Sequence, residues 1–387
     1  MKILMVLSRI PYPLDKGDKL RAYHQIKELI ASGQTLIIVC IHFEKAEHLH
    51  LQHLRNLGGQ WHFVKLSPIT AFLNIALNVF SQQPFQVALF YQRKAYRYLS
   101  AIIQSEKPDH LIAQLIRTTE YIKTHVSIPK SLDYMDALGD GLKRRAERSP
   151  WVTRWIWKEE SDRLLRYESI IWNYFDFHFI ISRKDAQKIL SPQPEKWKML
   201  PNGIDTAFFS NPHDTPSTYL LFTGNMAYPP NVDAAIYLVQ EIMPLVWKAR
   251  PDMKVMIAGA DPTASVLQLT SEKTVVTGRL EDIRSAYAQA QLFIAPMRMG
   301  SGMQNKILEA LSMEIPVITT SVAAEAFSST VQSTLHIGND AAEIAQLIIQ
   351  QFANPSPPTS IARDLVVKEY NWQNTIAQFL NVIDEKH

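Results

Sequence analysis

A glycine-rich loop in the last third of the chain limits the possible folds more strongly than any other segment. It follows residues 292–296, an apolar run with the length of a buried parallel strand. Gly300-Ser301-Gly302 allow the backbone to turn tightly, and helix-forming residues follow at 303–313. Pro316 ends that helix and residues 317–320 begin another strand. The order strand, loop, helix, strand predicts an α/β protein.

The start of this predicted helix has the properties of an anion site. The first N–H groups of a helix lack partners within the helix and carry the positive end of its dipole, so phosphate binds there. Lys306 lies one turn into the helix and adds a formal charge. Glu309 lies further along, where its carboxylate can accept hydrogen bonds from sugar hydroxyls. The glycines alone leave an ordinary βαβ turn open as the alternative.

The full order Gly-Ser-Gly-x-x-x-Lys-x-Leu-Glu-Ala-Leu-x-x-x-x-Pro-Val resembles the nucleotide-sugar-binding segment of retaining glycosyltransferases of family 4, which have the GT-B fold. In that family two glutamates are separated by seven residues. Glu309 matches the second glutamate, which holds the donor ribose, and Ser301 stands where the first contacts the donor sugar. The segment is similar to the branch associated with exosortase-linked exopolysaccharide systems. The resemblance implies a donor site that includes Ser301, Gly302, Met303, Gln304, Lys306 and Glu309.

Length and composition indicate two globular domains. A chain of 387 residues is long enough for two domains of ordinary size. Hydrophobic residues make up 47% and charged residues 20%, which is a globular rather than a disordered composition. The net charge of +3 is too small to indicate a nucleic-acid partner. Clustered charge would still permit contact with an anionic surface.

Cysteine usage and hydropathy indicate a cytoplasmic location. Cys40 is the single cysteine, so an intrachain disulfide is impossible and a reducing compartment is the natural interpretation. The N-terminal residues read as a strand rather than a signal peptide, and no apolar run reaches the roughly 20 residues of a membrane span. We therefore expect a cytoplasmic protein, either free or in peripheral contact with the inner face of the plasma membrane.

The beginning of the chain predicts a doubly wound sheet. Residues 2–7 read as a strand, 21–32 as an amphipathic helix and 35–41 as a second strand. The absence of Gly-x-Gly-x-x-Gly after the first strand makes a dinucleotide oxidoreductase improbable. The loop before the helix resembles the N-terminal loop of the same glycosyltransferases, whose glycine approaches the donor phosphate and the acceptor. Gly17 and Arg21 are accordingly catalytic candidates.

Two aspartates close the predicted strand at residues 130–134. Asp133 and Asp136 supply two carboxylates. One of them can orient a hydroxyl while the other takes part in proton transfer. Helix capping by Asp136 is the alternative, since aspartate is a good N-cap residue. The resembled family often has a donor-binding histidine at this turn, and the exosortase-associated branch has the aspartate pattern. Asp133 and Asp136 therefore join Lys306 as catalytic candidates.

Three further segments resemble donor-binding elements of that family. Pro201-Asn202-Gly203-Ile204-Asp205 resembles a marker beside the donor, and the residues after Gly278 lie where backbone groups read the nucleobase. Gly224 and Asn225 follow the predicted strand 219–223, where the family has an arginine and, later, a lysine that clasp the diphosphate. The implied donor-binding residues in these segments are Asn202, Gly203, Gly224, Asn225, Gly278, Arg279 and Leu280.

The chain departs from the family at the diphosphate. Neither expected cation is present. Asn225 and Met226 stand where the family has the arginine, and the residues that follow, up to Asn231, include no lysine. Phosphate neutralisation then falls on the helix after Gly302, on Lys306, and on Arg298 or Arg21. No Asp-x-Asp-type metal cluster is evident, so we expect neither a metal nor another cofactor.

Two stretches leave their role open. Residues 69–98 are apolar and aromatic with late basic residues, which suits helices that cover the sheet, an acceptor cleft or lipid contact. Residues 141–167 combine tryptophan with arginine and lysine, a composition of membrane-interface helices. The same stretch also suits docking of a lipid diphosphate, or a helix that packs its tryptophans on the core.

The combined prediction is an α/β protein of the GT-B type, with two Rossmann-like domains facing a cleft. We place the acceptor-side domain at residues 1–210, the nucleotide-sugar-binding domain at 211–365, and a C-terminal helix at 366–387 crossing back to the first domain. The resemblance implies transfer from a UDP- or GDP-sugar, with retention, to a saccharide or polyprenyl-diphosphate-linked acceptor in exopolysaccharide biosynthesis. The alternatives are a non-catalytic nucleotide-sugar-binding or scaffold subunit and a UDP-sugar epimerase of the same fold.

Overall fold

The computed structural model describes residues 1–45, 47–210, 219–299, 303–354 and 360–384. The chain forms two compact units, Met1–Pro201 with Ile376–His387 and Asn202–Thr375. Each unit is built on a parallel sheet with helices, which confirms the prediction of two Rossmann-like α/β domains. Residues 211–218, directly after the predicted boundary between residues 210 and 211, lie outside the described residues.

The sheet of the first unit has the order β3-β2-β1-β4-β5-β6-β7, and all of these neighbours are parallel. Residues 3–7 at the centre of the sheet form a continuous apolar run because helices cover parallel sheets on both faces. The strands are β1 (Lys2–Leu7), β2 (Thr35–His42), β3 (Gln60–Lys65), β4 (His110–Gln114), β5 (Lys130–Met135), β6 (Phe177–Ile180) and β7 (Trp197–Met199). Strand order reverses between β1 and β4, and α/β sheets bind ligands beside the carboxyl ends of such strands.

The helices of the first unit connect these strands. They are α1 (Gly17–Ala31), α2 (His48–Arg55), α3 (Pro68–Asn78), α4 (Phe85–Phe90), α5 (Arg93–Glu106), α6 (Leu138–Arg148), α7 (Trp151–Ile171) and α8 (Arg183–Ala186). Short 3₁₀ turns occur at Ile116–Tyr121, Trp172–Tyr174 and Pro194–Lys196. Helix α1 begins at Gly17, four residues before the predicted start at Arg21.

The second unit has a parallel sheet of order β10-β9-β8-β11-β12-β13. Strand order reverses between β8 and β11, so their carboxyl ends form the switch point of this sheet. The strands are β8 (Tyr219–Thr223), β9 (Lys254–Ala258), β10 (Thr274–Gly278), β11 (Ala290–Ala295), β12 (Val317–Thr319) and β13 (His336–Ile337).

The helices of the second unit complete the βα alternation. They are α9 (Pro229–Tyr237), α10 (Met243–Ala249), α11 (Ala264–Leu267), α12 (Arg284–Ala288), α13 (Asn305–Ser312), α14 (Ser321–Ala324), α15 (Ser329–Gln332), α16 (Ala341–Ala353) and α17 (Ser360–Glu369). A π-helical turn at Leu238–Ile242 joins α9 to α10. The last helix is α18 (Trp372–Asp384), whose Ile376 and Phe379 pack in the core of the first unit with Met5.

Two glycines allow the ends of β8 and β9 to approach each other. The backbone of Gly259 has a φ of +143°, and a Cβ built on it would overlap the carbonyl oxygen of Gly224. The carbonyl oxygen of Gly224 belongs to the backbone and not to a flexible side chain, so the backbone would have to move to make room for a Cβ on Gly259. The close approach places the loop after β8 beside the end of β9.

We expect Gly259→Ala to destabilise the second unit by about 3 kcal/mol or more, because the added methyl group meets backbone rather than a side chain. Gly278→Ala is the matched control. Gly278 has a φ of +68° but open space around a built Cβ, so alanine there costs only the left-handed conformation, about 1–2 kcal/mol. Thermal unfolding of both variants tests this order, and equal losses would contradict it.

Candidate functional site

The switch point of the second unit gathers several of the residues predicted to bind a donor. The loop after β8 begins with Gly224, and the segment after β11 leads to α13. Helix α13 begins at Asn305, two residues later than predicted, because Gln304 has an extended backbone (φ −89°, ψ 90°) and serves as the N-cap. The predicted contacts Ser301 and Gly302 lie outside the described residues, while Met303 and Gln304 are partly exposed before the helix.

Lys306 is buried in the first turn of α13. Its Nζ donates a hydrogen bond to Oδ1 of Asn231 at 2.5 Å and lies 4.8 Å from the centre of the Phe222 ring. Burial lowers the pKa of Lys306 to about 7, although the charge of Glu309 acts in the opposite direction. An anion that binds beside this amine therefore favours uptake of a proton near neutral pH.

Asn231 positions Lys306, a role that its place in the sequence does not indicate. Its Nδ2 donates to the backbone oxygen of Asn225 at 2.9 Å while its Oδ1 accepts from Lys306. A Cβ on Gly224 would lie 2.6 Å from this Nδ2, which explains the glycine. A buried amide needs such partners, but the burial of Asn231 is visible only in the structure.

Glu309 lies three residues after Lys306, on the same face of α13. Its Oε2 accepts a hydrogen bond from the hydroxyl of Tyr287 at 2.7 Å, and that hydroxyl lies 2.8 Å from Oγ1 of Thr223. Burial raises the pKa of Glu309, whereas the Tyr287 hydrogen bond and the charge of Lys306 act to lower it. Tyr287 was also missed in the sequence, where it reads as an apolar residue of a short helix.

The segment around Gly203 lies next to the start of α13. Nδ2 of Asn202 donates to Oδ1 of Asn305 at 3.3 Å. A Cβ on Gly203 would overlap the backbone nitrogen of Trp372, so only glycine fits there without a backbone shift. The structure thus brings Asn202 and α13 together, and it gives Gly203 a packing role.

Asp261 links two of the predicted donor-binding segments. It accepts a hydrogen bond from Nδ2 of Asn225 at 3.3 Å, and its carboxylate lies 3.7 Å from Nη2 of Arg279. The Arg279 side chain is exposed at the end of β10, after the left-handed Gly278. Leu280 packs against the hydrophobic core instead.

Arg298 does not have the free charge that we expected for phosphate neutralisation. Its Nη2 lies 2.8 Å from Oδ1 of Asp233 and its Nη1 lies 3.2 Å from Oε1 of Glu241. The guanidinium also stacks over Tyr237, with 4.2 Å to the ring centre. Two carboxylates already compensate this charge, so Lys306 is the better placed cation.

In the first unit, Arg21 and Asp133 form a buried bidentate ion pair. Nε of Arg21 donates to Oδ2 of Asp133 at 2.7 Å, and Nη2 donates to Oδ1 at 3.1 Å. Nε2 of Gln25 adds a bond to Oδ2 at 2.9 Å, and the backbone N–H of Met135 adds one to Oδ1 at 3.2 Å. Arg21 is 0% and Asp133 3% exposed, so neither side chain has a surface for substrate contact. This geometry gives the pair a role in joining α1 to β5.

Asp136 and Gly17 retain surface at the carboxyl edge of the first sheet. Asp136 is half-buried after β5, and burial together with the charge of Asp185 raises its pKa to about 6, against the opposing effect of Arg117. It does not cap the next helix, because α6 has Ala137 at its N-cap. Gly17 is exposed as the first residue of α1.

Backbone strain marks the same edge. Leu115 and Met135 have φ values of 64° and 65° at the ends of the neighbouring strands β4 and β5. Residues other than glycine adopt positive φ at an energetic cost, and such positions cluster at functional sites. These two strained residues lie at the carboxyl edge that also holds Asp136, although Lys107, Asp261 and Glu314 have positive φ values elsewhere in the chain.

The described residues contain no group of three or more His, Cys, Asp or Glu side chains that could hold a metal ion. In the same residues, no helix has the length and hydropathy needed to cross a membrane. The absence of a metal requirement stays a prediction.

The two Rossmann-like units, with a lysine and a glutamate on the first turns after a switch-point strand, define a protein of the GT-B fold class. Residues 217–354 match the family Glycosyl transferases group 1. The chain is 24% identical over 385 residues to an uncharacterised 44.6 kDa protein in the cps region of Klebsiella pneumoniae, with 93% of each chain covered. The family match lies within the second unit, and the curated relative is similar over nearly the whole chain.

Solved structures share the fold over the whole chain. Anabaena HepE in complex with UDP superposes with a TM-score of 0.70 at 13% identity and 100% coverage of both chains. The same protein has been solved with UDP-glucose. A glycosyltransferase from Rickettsia africae gives a TM-score of 0.67 at 14% identity, covering 99% of this chain and 98% of that one.

Proposed function

We propose that this protein transfers a sugar from a nucleotide-sugar donor, a UDP- or GDP-sugar, to a saccharide or polyprenyl-diphosphate-linked acceptor in polysaccharide biosynthesis. The observation that carries the proposal is the face of α13, where the buried Lys306 and the oriented Glu309 lie one turn apart. The UDP complex of HepE favours a UDP-sugar, and the cps-region relative favours capsule or exopolysaccharide synthesis.

The proposed mechanism relies on electrostatic stabilisation of the leaving diphosphate. Breaking the bond between the anomeric carbon and phosphate leaves charge on the nucleotide diphosphate. Lys306 gains a proton as the anion binds and keeps its charge beside Asn231, within a buried setting that strengthens the interaction. Glu309, held by Tyr287, accepts hydrogen bonds from the ribose hydroxyls and so fixes the nucleotide.

Retention of anomeric configuration is part of the proposal. The acceptor hydroxyl attacks from the side of the leaving group, and the departing phosphate takes the hydroxyl proton, so no protein nucleophile is required. Asp136 and Gly17 are the first-unit candidates for holding the acceptor, since both have exposed surface at the carboxyl edge of the sheet. No metal or other cofactor enters this scheme.

Thermal-shift measurements with UDP, GDP, ADP and CMP test the donor assignment. A ligand that binds only the folded protein raises the melting temperature by mass action. A shift in melting temperature with UDP alone supports a UDP-sugar donor. A shift with GDP alone supports a GDP-sugar donor instead. Release of UDP from a panel of UDP-sugars, with and without acceptor, then tests turnover.

Tyr287→Phe is expected to weaken UDP binding by at least about tenfold. The variant removes the hydroxyl that orients Glu309 and leaves Oγ1 of Thr223 without that partner, and a buried hydrogen bond to a charged group contributes about 1.5–3 kcal/mol. Titration calorimetry measures the affinity. Tyr174→Phe, at an exposed tyrosine of the first unit, is the control and should leave it unchanged. Equal affinities for both variants would contradict the role of Tyr287.

A non-catalytic nucleotide-sugar-binding subunit is the second candidate. A specific observation favours it: Met226 is fully buried and Asn225 is bonded to Asp261, so this loop supplies no cation to the diphosphate. Both candidates predict nucleotide binding, and only the transferase predicts release of UDP from its donor. Binding without release in the presence of cell-derived lipid and saccharide acceptors would favour the subunit.

A further inference from the structure

Helix α3 has its polar and apolar faces reversed with respect to water. Its two asparagines point into the protein, where Nδ2 of Asn74 donates to the backbone oxygen of Tyr91 at 2.6 Å and Nδ2 of Asn78 donates to that of Gln83 at 2.6 Å. The opposite face is apolar and exposed. A surface helix normally turns its apolar stripe toward the core, so this orientation requires another explanation.

The exposed face is large and continuous along the helix. Phe80 is 96% exposed and Phe72 71% exposed, and the face carries no charged residue. Its exposed apolar residues are Ile69, Phe72, Leu73 and Leu77 on α3, and Val79 and Phe80 directly after the helix. Monomeric proteins seldom expose contiguous apolar surface of this kind unless it binds a partner or a membrane.

Helix α7 extends the same surface. Its Arg163 donates to the backbone oxygens of Asn78 and Val79 at 2.9 and 3.1 Å, and Glu160 accepts from the backbone N–H of Phe85 at 2.7 Å. Val152 and Ile156 precede these two residues at helical spacing on one stripe of α7. The exposed apolar side chains of this first half of α7 are Trp151, Val152, Trp155 and Ile156.

The charge beside the first half of α7 is mainly positive, and the exposed acidic residues Glu159 and Asp162 come only later on the helix. Residues 141–158 contain six lysines and arginines and one glutamate. Arg154 and Lys158 are exposed between and beside the tryptophans, and Lys143 and Arg145 are exposed on α6. Tryptophan with lysine and arginine is the composition of segments that lie in the interface of an anionic bilayer.

We propose that the outer faces of α3 and the first half of α7 form a docking surface for an anionic lipid bilayer. The apolar side chains of α3 enter the boundary between headgroups and acyl chains, and the cations of α6 and α7 lie against the lipid phosphates. A second copy of the chain fits this surface less well, because a twofold interface would bring two cationic rims together. The inference does not depend on glycosyl transfer, since lipid binding needs no donor.

Cosedimentation with vesicles tests the proposal. The full chain is expected to bind vesicles of equal parts phosphatidylcholine and phosphatidylglycerol, and to bind pure phosphatidylcholine much more weakly. Phe72→Ser with Phe80→Ser should weaken binding at least about tenfold, because two apolar side chains no longer enter the interface. Arg154→Gln with Lys158→Gln should weaken binding roughly fivefold for each charge removed and make it less sensitive to salt.

Val126→Ser is the control for the apolar pair, because Val126 is 86% exposed elsewhere on the first unit and should not affect binding. Phe72, Phe80 and the two cations are exposed, so the thermal midpoints should stay close to that of the wild type. Absence of wild-type binding to anionic vesicles, or equal binding by the Phe72/Phe80 variant, would overturn the proposal. Sedimentation velocity showing a dimer that this variant dissociates would overturn it in favour of self-association.

Discussion

Lys306→Met is expected to lower turnover of the nucleotide-sugar donor by at least about a hundredfold and to weaken UDP binding about tenfold. The ammonium group is buried, held by Asn231, and placed in the first turn of the helix at the proposed diphosphate site. Removing a preorganised group that stabilises developing charge typically costs two to three orders of magnitude in rate. Methionine keeps the length and apolar stem of the side chain, so the loss reports the charge. Initial rates of UDP release and calorimetric titration with UDP measure the two effects.

The pH dependence of UDP binding provides a sharper test. The pKa of Lys306 is about 7 without ligand, and a bound diphosphate stabilises the protonated form. UDP affinity should therefore fall as the pH rises above about 7, towards a limit of tenfold per pH unit, with one proton taken up on binding. Calorimetry in buffers of different ionisation enthalpy measures that proton. An affinity that is equally pH-dependent in Lys306→Met would contradict the assignment to this lysine.

Loss of folding would not explain a loss of activity in Lys306→Met. Burial lowers the pKa of Lys306 below its unfolded value of 10.5, so the charged form opposes folding. This cost is fully present below about pH 7 and disappears as the pH rises towards the unfolded pKa. The methionine variant should then be at least as stable as the wild type at neutral pH. Lys248→Met, at an exposed lysine of α10, is the control for nonspecific charge effects and should leave turnover unchanged.

The strands could be predicted because burial on both faces of a parallel sheet leaves continuous apolar runs in the sequence. Residues 2–7 and 219–223 were predicted with the bounds of β1 and β8. Helix starts were less accurate. Gly17 lacks helix propensity but begins α1, and Gln304 has helix propensity but lies outside α13, because the surrounding loops decide where each helix begins.

The candidate site likewise contains residues that the sequence indicates and residues that it does not. Lys306 and Glu309 belong to one helix, so their common face follows from a spacing of three residues. Asn231 and Tyr287 could not be recognised as their partners, since they are separated from Lys306 and Glu309 by 75 and 22 residues along the chain. Only the fold brings such residues together. The apolar stretch that begins at residue 69 was ambiguous for another reason: its composition does not reveal which face of α3 is turned outward.

Arg21 shows how a sequence pattern can indicate a site while the side chain serves the fold. It lies in a charged loop-to-helix segment at the carboxyl end of β1, where ligands bind, but Asp133, 112 residues away, accepts both hydrogen bonds of its guanidinium fork. A resemblance in the local sequence cannot distinguish a cation that faces a ligand from one that faces a buried carboxylate. That distinction has a measurable consequence for stability.

Arg21→Met is expected to destabilise the first unit by about 3–5 kcal/mol, because it leaves the carboxylate of Asp133 buried with only neutral donors from Gln25 and Met135. A chain with two units need not unfold in one step, so a single transition midpoint is insufficient. Hydrogen exchange of the amides in α1 and β5 measures the loss where it occurs.

Two further variants separate the buried pair from ordinary charge effects. Arg9→Met breaks the partly exposed contact between Nε of Arg9 and Oδ2 of Asp18 at 3.3 Å, which should cost no more than about 1 kcal/mol. Arg21→Met combined with Asp133→Leu removes both buried charges and should recover most of the loss, because an apolar replacement of a buried pair is often neutral. If Arg21→Met costs no more than Arg9→Met, or if the double variant is less stable than Arg21→Met alone, the ion pair does not hold α1 to β5.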